Sequence, residues 1–383
     1  MSLEIRPDVR FLSELYASDV PDAVLLAEYP SSNSDQTRFQ NRVRFIIHDP
    51  YPPPRRELLK ILGPHHLMCG WGGQINVSSE VRLPDVILQH WKHVFGADGC
   101  PTWQAYDPDA RYVTLFPHES IPADRQVVEP NANYAVHSKE VIAKIDCPQA
   151  RVLSSIKPPC IVKLSHGYAG LGNFCIRKVA DEVEMRQQLD RHWPNAVVVV
   201  NSIIEDIAGD YGVQFYLGRD GSMVWLGVTQ QHFDTETRWC GGSFSASLQD
   251  QLFEDVGQIV ESTGRHLHES GYFGLVGVDV LCNDRGEHFL VDVNPRLTGI
   301  SPFLMASRIF RSQGLPEGVY RASVRFPGSL AELVAVAERT TDARVVVLSA
   351  YEEAGGTKTV CHLSASSNSQ QSCCDVLDRI AEP

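Results

Sequence analysis

Two aspartates and an asparagine in the last third of the chain have the side chains and the spacing for cation binding. Asp279 and the pair Asp292 and Asn294 belong to two strand-like runs that flank the turn-forming sequence Asn283-Asp-Arg-Gly286. This pattern predicts a β-hairpin. A two-residue turn at Arg285-Gly286 places Asp279 directly opposite Asp292, and Asn294 shares their face because side chains alternate along a strand.

Two carboxylates so close together repel each other unless a cation lies between them or one takes up a proton. Mg²⁺ suits such oxygen ligands, because it prefers carboxylates combined with substrate phosphates and water. The following segment, Pro295-Arg296-Leu-Thr-Gly299, predicts that Arg296 lies over the same face. The alternative is that the aspartates lie on the solvated face of an ordinary hairpin. The hairpin pattern alone leaves both interpretations open.

A lysine followed by a glycine-rich segment is the second feature suited to chemistry. Lys163 lies near the end of the predicted strand Cys160–Leu164, and residues 165–173 contain three glycines. Glycines let backbone N–H groups approach phosphate oxygens closely. The segment is not a P-loop, because Asn173 stands where that motif has its lysine, and it cannot complete a dinucleotide fingerprint. A plain structural turn is the alternative.

The elements that must position these groups are predicted from hydrophobic periodicity and turn signals. In the middle of the chain they are a helix-like stretch Ser138–Lys144, the strand Cys160–Leu164, a helix Asp181–His192, a strand from Ala196, a hairpin Val213–Leu226 and a long helix Asp250–Glu269. The first 130 residues are rich in proline and contain the predicted strands Ala23–Ala27 and Val43–Ile47 of an α/β domain. The tail after Phe326 is predicted as helix 330–339, strands 344–348 and 357–363, and helix 371–380.

Composition limits the class of protein. With 383 residues, 43% of them hydrophobic, the chain can bury a large core in two or three domains. Its formal charge of −13 argues against a nucleic-acid partner, which requires clustered Lys and Arg. The N-terminal sequence lacks a signal-peptide core and no apolar run approaches the roughly 20 residues of a membrane span. We therefore expect a cytoplasmic protein with reduced cysteines.

Together the two features resemble the ATP-grasp superfamily over about residues 131–305. That family has an early lysine, a second lysine before a glycine-rich loop, an acidic hinge, a metal-binding Asp, and Glu-x-Asn on the next strand. The residues of this chain in those places are Lys139, Lys163, Glu205, Asp279, Asp292 and Asn294.

The resemblance implies an α/β fold with an N-terminal pre-ATP-grasp domain, a two-lobed ATP-grasp unit and a small C-terminal α/β appendage. The expected boundaries are 1–130 for the N-terminal domain, 131–200 for the small lobe with the glycine-rich loop, 201–325 for the large lobe with the metal site, and 326–383 for the appendage.

The resemblance also implies roles for individual residues. ATP would be bound by Lys139, Lys163, Ser165, His166, Gly167, Gly170, Gly172, Glu205, Asp206, Ile207 and Asp210. One or two Mg²⁺ ions, for which Mn²⁺ can substitute, would be held by Asp279, Asp292 and Asn294. Catalytic roles would fall to Arg296, which would face an acyl phosphate and its oxyanion, to Lys163 and to Arg238.

The chain departs from the family pattern at several positions. Asp292 replaces the usual Glu, Asp210 matches the ribose-binding acidic position only loosely, and Val278 stands where many relatives have a basic residue. Arg238 could supply that missing positive charge to a phosphate or a substrate carboxylate. An exposed loop arginine without such a role is an equal alternative.

These features predict an ATP- and Mg²⁺-dependent carboxylate–amine ligase that forms an amide through an acyl phosphate and releases ADP and phosphate. Amino acids or peptides are the expected substrates. The alternatives are an ATP-grasp kinase acting on a hydroxyl, and a nucleotide-binding regulatory protein without turnover. The expected partners are small carboxylate and amine substrates, without nucleic acid or membrane, and a homodimer is allowed for.

Overall fold

The computed structural model describes residues 2–32, 38–48, 63–167, 172–235, 238–353 and 355–381. Its strands are β1 (Leu3–Ile5), β2 (Ala23–Leu26), β3 (Val77–Ser78), β4 (Arg111–Thr114), β5 (Cys160–Leu164), β6 (Asn173–Ile176), β7 (Val198–Ser202), β8 (Ile207–Leu217), β9 (Met223–Phe233), β10 (Trp239–Ser245), β11 (Gly274–Asn283), β12 (His288–Asn294), β13 (Glu317–Phe326), β14 (Arg344–Glu352) and β15 (Thr359–Ser367).

The α-helices with defined bounds are α1 (Leu12–Asp19), α2 (Asp85–Phe95), α3 (Pro130–His137), α4 (Val179–His192), α5 (Gln249–Glu269), α6 (Ser301–Ser312), α7 (Leu330–Arg339) and α8 (Gln370–Ile380). Residues 63–68 are also helical. Among the described helices, none combines the length and apolar character that crossing a lipid bilayer requires.

A large sheet forms the centre of the described structure. Its nine strands lie in the order β12-β11-β8-β9-β10-β13-β15-β14, with β1 added in parallel along β9. On one face, apolar residues of β8, β9, β11 and β12 pack against α5. The opposite face packs against α6 and the N-terminal region. Polar side chains on that second face can therefore line a cleft between the sheet and the rest of the molecule.

Two smaller sheets complete the described fold. In the N-terminal region β2 lies between β3 and β4, and all three strands are parallel. In the middle of the chain, the antiparallel sheet β6-β5-β7 carries the glycine-rich segment between β5 and β6. The predicted mixed α/β fold is confirmed. Strands β13, β14 and β15 extend the large sheet, so the predicted C-terminal appendage packs as part of it.

The predicted strand Val43–Ile47 is wrong. These residues form bends and a loop, and the buried Phe45 has a φ of 54°. The Glu119 carboxylate accepts hydrogen bonds from the backbone N–H groups of Arg42, Val43 and Arg44, each at 2.9 Å. Because these donors are bonded to a side chain, they are not available for a strand ladder.

The predicted helix-like stretch Ser138–Lys144 is a 3-10 helix over Lys139–Lys144. It follows α3 after a break at Ser138, whose side-chain oxygen accepts a hydrogen bond from the Glu140 backbone N–H. The break turns the chain toward β5 and the large sheet.

Candidate active site

The hairpin of β11 and β12 places Asp279 opposite Asp292, as the sequence predicts. Its turn differs from the predicted two-residue turn, because the Asn283 N–H donates to Glu287 O at 3.1 Å, which encloses three residues. A register shift after Asp279 restores the predicted pairing. Gly286, with a φ of 75°, supplies the left-handed conformation that this turn requires.

Lys139 neutralises Asp292 directly. Its Nζ donates to Asp292 Oδ1 at 2.5 Å, and only 8% of the lysine is exposed. The lysine is held in place by the strand end at Ser165: the Lys139 N–H donates to Ser165 O at 2.8 Å, and the hydroxyls of Ser138 and Ser165 are 2.8 Å apart. The family resemblance pointed to Lys139, and the structure places it in the carboxylate cluster.

Asp279 has two amide neighbours on the same sheet face. Gln231 Nε2, on β9, donates to Asp279 Oδ1 at 2.7 Å. The Asn294 amide nitrogen lies 3.4 Å from an oxygen of each aspartate. Sequence reasoning missed Gln231. The one available signal was a polar pair, Gln230-Gln231, directly after the apolar run of β9.

The pKa values of the two aspartates are shifted in opposite directions. Burial and the nearby Asp292 charge raise the pKa of Asp279 to about 6. Burial also acts to raise the pKa of Asp292, but the ammonium groups of Lys139 and Lys163 outweigh it and hold the pKa below its usual value. The pair therefore carries a charge that depends on the cations beside it.

Lys163, which is partly buried, is the second cation of the cluster. Its Nζ donates to Val291 O at 2.6 Å, on β12 directly before Asp292. Burial lowers the pKa of Lys163, and the Asp292 charge opposes that change. Its position on β5 means that the small antiparallel sheet contributes a positive charge to a site built mainly on the large sheet.

Asp210, on β8, adds a third carboxylate. Burial and the charge of Asp279 raise its pKa to about 7, while Lys163 lowers it. The sequence assigned Asp210 only loosely to ribose binding. The structure instead places it within electrostatic reach of Asp279 and Lys163.

Arg296 extends the site toward the N-terminal region. Its Nη1 donates to Asn294 Oδ1 at 2.8 Å, and its guanidinium carbon lies 5.1 Å from the centre of the Phe116 ring. The segment after it is anchored by Gln214, which donates to Thr298 Oγ1 at 2.8 Å and accepts from Ser301 Oγ at 2.7 Å. Arg296 is thus fixed between the sheet and an aromatic side chain.

The stem of the glycine-rich segment contacts the N-terminal region. The His166 ring stacks on Tyr134 with centroids 3.9 Å apart, and its Nε2 lies 3.1 Å from Tyr134 O. The His48 N–H donates to His166 O at 3.0 Å, and His48 forms an isolated parallel β-bridge with Gly167. Gly172 has a φ of 86°, and Gly170 lies outside the described residues. His166 is therefore occupied by protein contacts in this structure.

The predicted hinge Glu205–Ile207 connects the small antiparallel sheet to the large sheet. All three residues are exposed, and Asp206 has a φ of 55°. The Asp284 N–H donates to Asp206 O at 2.8 Å, which ties the hinge to the β11–β12 turn. An exposed segment at this junction is accessible to a ligand held between the two sheets.

Arg238 is held away from the cluster by a local ion pair. Its Nε donates to Asp234 Oδ1 at 2.8 Å, and 62% of the side chain is exposed. Among the contacts of the described residues, Arg238 has none with Asp279 or Asp292. Its predicted catalytic role stays a prediction.

The donor set fits magnesium better than a transition metal. In the described residues, no group of three or more His, Cys, Asp or Glu side chains is arranged to hold a metal ion. Two carboxylates and one carboxamide, with two lysines beside them, form the partial oxygen ligand set that Mg²⁺ completes with phosphate and water. Asn294 directs its nitrogen to the aspartates and its oxygen to Arg296 here, so presenting the oxygen to an ion requires a 180° flip of the carboxamide that gives up the Arg296 hydrogen bond.

Residues 138–294 match the family described as ATP-grasp L-aspartate–L-methionine ligase. Over this stretch, 157 of its 383 residues, the chain is similar to ATP-grasp ligases. The match spans every element that carries the carboxylate cluster, from Lys139 to Asn294. The protein is an ATP-dependent, ADP-forming ligase of C–N bonds that acts on small-molecule substrates. No curated protein sequence matches the chain.

Solved structures confirm the ATP-grasp fold of the chain. An N5-carboxyaminoimidazole ribonucleotide synthetase in its ADP complex matches with a TM-score of 0.55 and 13% identity, over 82% of this chain and 93% of that chain. The corresponding synthetase of Staphylococcus aureus, also with ADP, gives 0.52 and 12% over 82% and 94%. The ATP-complexed enzyme of Aspergillus clavatus gives 0.50 and 12% over 80% and 92%.

Proposed function

We propose that this ATP-grasp ligase joins two amino acids, an acidic one as the acid and an apolar one as the amine. The description of the matching family, whose substrates are L-aspartate and L-methionine, supports this choice. The observation that carries the proposal is the cluster of Lys139, Asp292, Asp279 and Asn294 continuing into Arg296. It supplies cations for phosphates and an arginine for a carboxylate on one sheet face.

In the proposed reaction, a carboxylate oxygen of the acid attacks the γ-phosphorus of ATP. The bond to the bridging oxygen breaks, ADP leaves, and an acyl phosphate remains. The amine nitrogen of the second substrate then attacks the acyl carbon, loses a proton and displaces inorganic phosphate. The product is an amide.

The residues of the cluster have distinct proposed roles. Lys139 and Lys163 bind and orient the phosphates of ATP, with the stem residues Ser165–Gly167 and Gly172 lining the same side. The hinge Glu205–Ile207 receives adenine and ribose, because it is exposed at the junction of the two sheets.

Asp279, Asp292 and Asn294 would hold Mg²⁺, which neutralises charge on the phosphates when bound. Gln231 and Lys139 orient the two carboxylates. Arg296 faces the reacting carboxylate, and Phe116 keeps its guanidinium in place. Each well-aimed donor of this kind is worth roughly 3–4 kcal/mol.

The proposal is tested by incubating the protein with ATP, Mg²⁺, L-aspartate and L-methionine. We expect an amide-linked dipeptide with one ADP and one phosphate for each amide, detected by mass spectrometry. With hydroxylamine in place of methionine, an aspartyl hydroxamate should form. AMP and pyrophosphate as products, or a stable phosphoester without free phosphate, would overturn the proposal.

Asn294→Ala gives a sharper test of the site. We expect turnover to fall by orders of magnitude while the far-UV circular dichroism spectrum is unchanged. Asp284→Asn, in the exposed turn of the same hairpin, is the control and should retain activity. Near-normal activity of Asn294→Ala would remove the hairpin from the active site.

The finer expectations for assembly and location are also proposals. We propose a cytoplasmic homodimer that binds no nucleic acid. Size-exclusion chromatography with light scattering measures the mass directly, and a monomeric mass would overturn the dimer.

A further inference from the structure

Two aromatic side chains lie beyond the carboxylate cluster on the same sheet face. On β9, Phe233 is two residues after Gln231, which binds Asp279, so it shares that face about 7 Å farther along the strand. On β10, Trp239 is the register partner of Phe233. Phe233 is 40% exposed and Trp239 is half-buried. Together they form an aromatic wall, defined as Phe233 and Trp239.

The aromatic wall adjoins the segment that carries Arg296. A Cβ atom built on Gly299 would lie 3.3 Å from the Trp239 ring, so the Gly299 backbone lies against the edge of the indole. The Trp239 ring also packs on Tyr320, with centroids 5.4 Å apart. His66 Nε2 lies 2.5 Å from Gly299 O and fixes this part of the chain. The Trp239 part of the wall is therefore positioned by the core.

The two ends of the segment Arg296–Gly299 face different surroundings. The Arg296 guanidinium is directed to Phe116 in the N-terminal region, whereas the Gly299 backbone contacts Trp239 on β10. An acid bound at Arg296 and a side chain bound at the aromatic wall would thus not compete for the same space. The carboxyl and the amine must still meet between these two positions for the amide to form.

Charge at the wall is balanced locally. Arg238 is paired with Asp234, so neither offers an unpaired charge to a ligand. Covering exposed aromatic carbon with an apolar group is favourable, because both surfaces are removed from water. A thioether adds a favourable contact between sulfur and the aromatic rings.

We infer that Phe233 and Trp239 form the subsite that receives the apolar side chain of the amine substrate. This inference rests on the proposed function and adds to it the residues that select the amine. The subsite favours methionine and leucine over glycine, and it disfavours aspartate and lysine, whose charges would lose hydration against the rings.

The test compares kcat/KM for methionine, leucine, glycine and lysine as amines, with aspartate as the acid. In Trp239→Ala we expect the ratio of methionine to glycine to fall about tenfold or more, the size of effect that apolar pocket contacts produce. Phe233→Ala, at a more exposed position, should lower the same ratio by a smaller factor. Trp239→Phe should keep the ratio within about threefold of wild type, because the wall stays aromatic.

Two controls separate side-chain selection from general damage. Hydroxamate formation with hydroxylamine needs no amine side chain, so we expect it to change by less than about twofold in each variant. Leu248→Ala removes an apolar side chain of similar exposure, 38%, beside α5 on the other side of the large sheet, and should leave the ratio unchanged.

The possible results have different consequences. A wild-type enzyme that ligates amino acids but keeps its selectivity in both Trp239→Ala and Phe233→Ala overturns the subsite alone. A change in preference for the acid, with the amine preference intact, also overturns it. A wild-type enzyme that forms neither dipeptide nor hydroxamate overturns the proposed function, and the subsite with it.

Discussion

The Lys139–Asp292 ion pair links the positive and negative halves of the cluster. Both partners are largely buried, with 8% and 17% of their side chains exposed. Removing one partner of a buried pair leaves the other charge without compensation. The second aspartate, Asp279, adds repulsion to that charge.

We therefore expect Lys139→Met to lower the free energy of unfolding by about 3 kcal/mol near pH 7, measured by urea denaturation. Lys144→Met changes an exposed lysine at the other end of the same 3-10 helix and is the matched control. Equal stability of the two variants would contradict the structural role of the ion pair.

Asp210 gives a prediction about pH. Its carboxyl has a pKa of about 7 in the folded protein against an ordinary value of 3.8. Between these values the folded state binds more protons than the unfolded state, so this residue makes stability fall as pH rises. Above about pH 7 both states are ionised, and the full destabilisation is present.

Asp210→Asn should accordingly raise the free energy of unfolding by on the order of 2 kcal/mol at about pH 8, with a difference that disappears toward pH 4. The measurement is urea denaturation across this range. Asp284→Asn, in the exposed turn, serves as the comparison. A gain in stability that is independent of pH would show that the burial of the Asp210 charge is not its cause.

Single residues differed in how well the sequence predicted them. The facing pair Asp279 and Asp292 followed from strand periodicity and a turn signal, which are local properties. Gln231 could not be found in this way, because its partner lies 48 residues away on another strand. The prediction for Arg238 did not anticipate that Asp234 would pair with it.

At the level of elements, hairpins and helices with strong local signals were predicted well. Helix α7 has the predicted bounds, and α5 begins one residue before its predicted start. The segment Val43–Ile47 was predicted wrongly as a strand. Its first N–H groups and that of Arg42 donate hydrogen bonds to the Glu119 carboxylate, which lies 75 to 77 residues farther along the chain. Contacts with side chains so distant in sequence cannot be predicted from the local hydrophobic pattern.

On strand β11, Gly277 has no room for a larger side chain. A Cβ atom there would lie 2.8 Å from Gln214 Nε2 and 2.9 Å from Thr298 Cγ2. Gln214 cannot move freely, since it is buried and hydrogen-bonded to Thr298 and Ser301. Gly277→Ala should lower the free energy of unfolding by about 1–3 kcal/mol, as overpacking does.

Gly257, within α5, is the matched control because a Cβ atom there meets nothing within 4 Å. Gly257→Ala should raise the free energy of unfolding by up to about 1 kcal/mol through helix propensity. Chemical denaturation of both variants gives the comparison. A loss of stability in both, or in neither, would mean that close packing at Gly277 is not what distinguishes them.

At the scale of the whole molecule, the candidate site draws its residues from three parts of the fold. Lys163 belongs to the small antiparallel sheet, Lys139 to the 3-10 helix, and the carboxylates to the large sheet. A ligand that contacts all three opposes their separation during unfolding. The sequence order of these parts was visible, but their meeting point depends on long-range pairing.

We expect a non-hydrolysable ATP analogue with Mg²⁺ to stabilise the protein by roughly 2.7 kcal/mol at about 100 times its Kd. Asp279→Asn should lose the part of the increase in Tm that depends on Mg²⁺, and Asp284→Asn should keep it. Thermal denaturation with and without Mg²⁺ measures both. An equal Mg²⁺ response in the two variants would place the ion elsewhere.

The parallel pairing of β1 with β9 has a consequence for synthesis on the ribosome. Leu3 pairs with Met223 and Ile5 with Trp225, so the first strand has no partner until some 220 further residues have been made. At about 5–20 residues per second that delay is roughly 10–45 s. During this time the backbone groups of β1 have no strand partner and are accessible to chaperones, and β1 joins the large sheet only after β9 has been made.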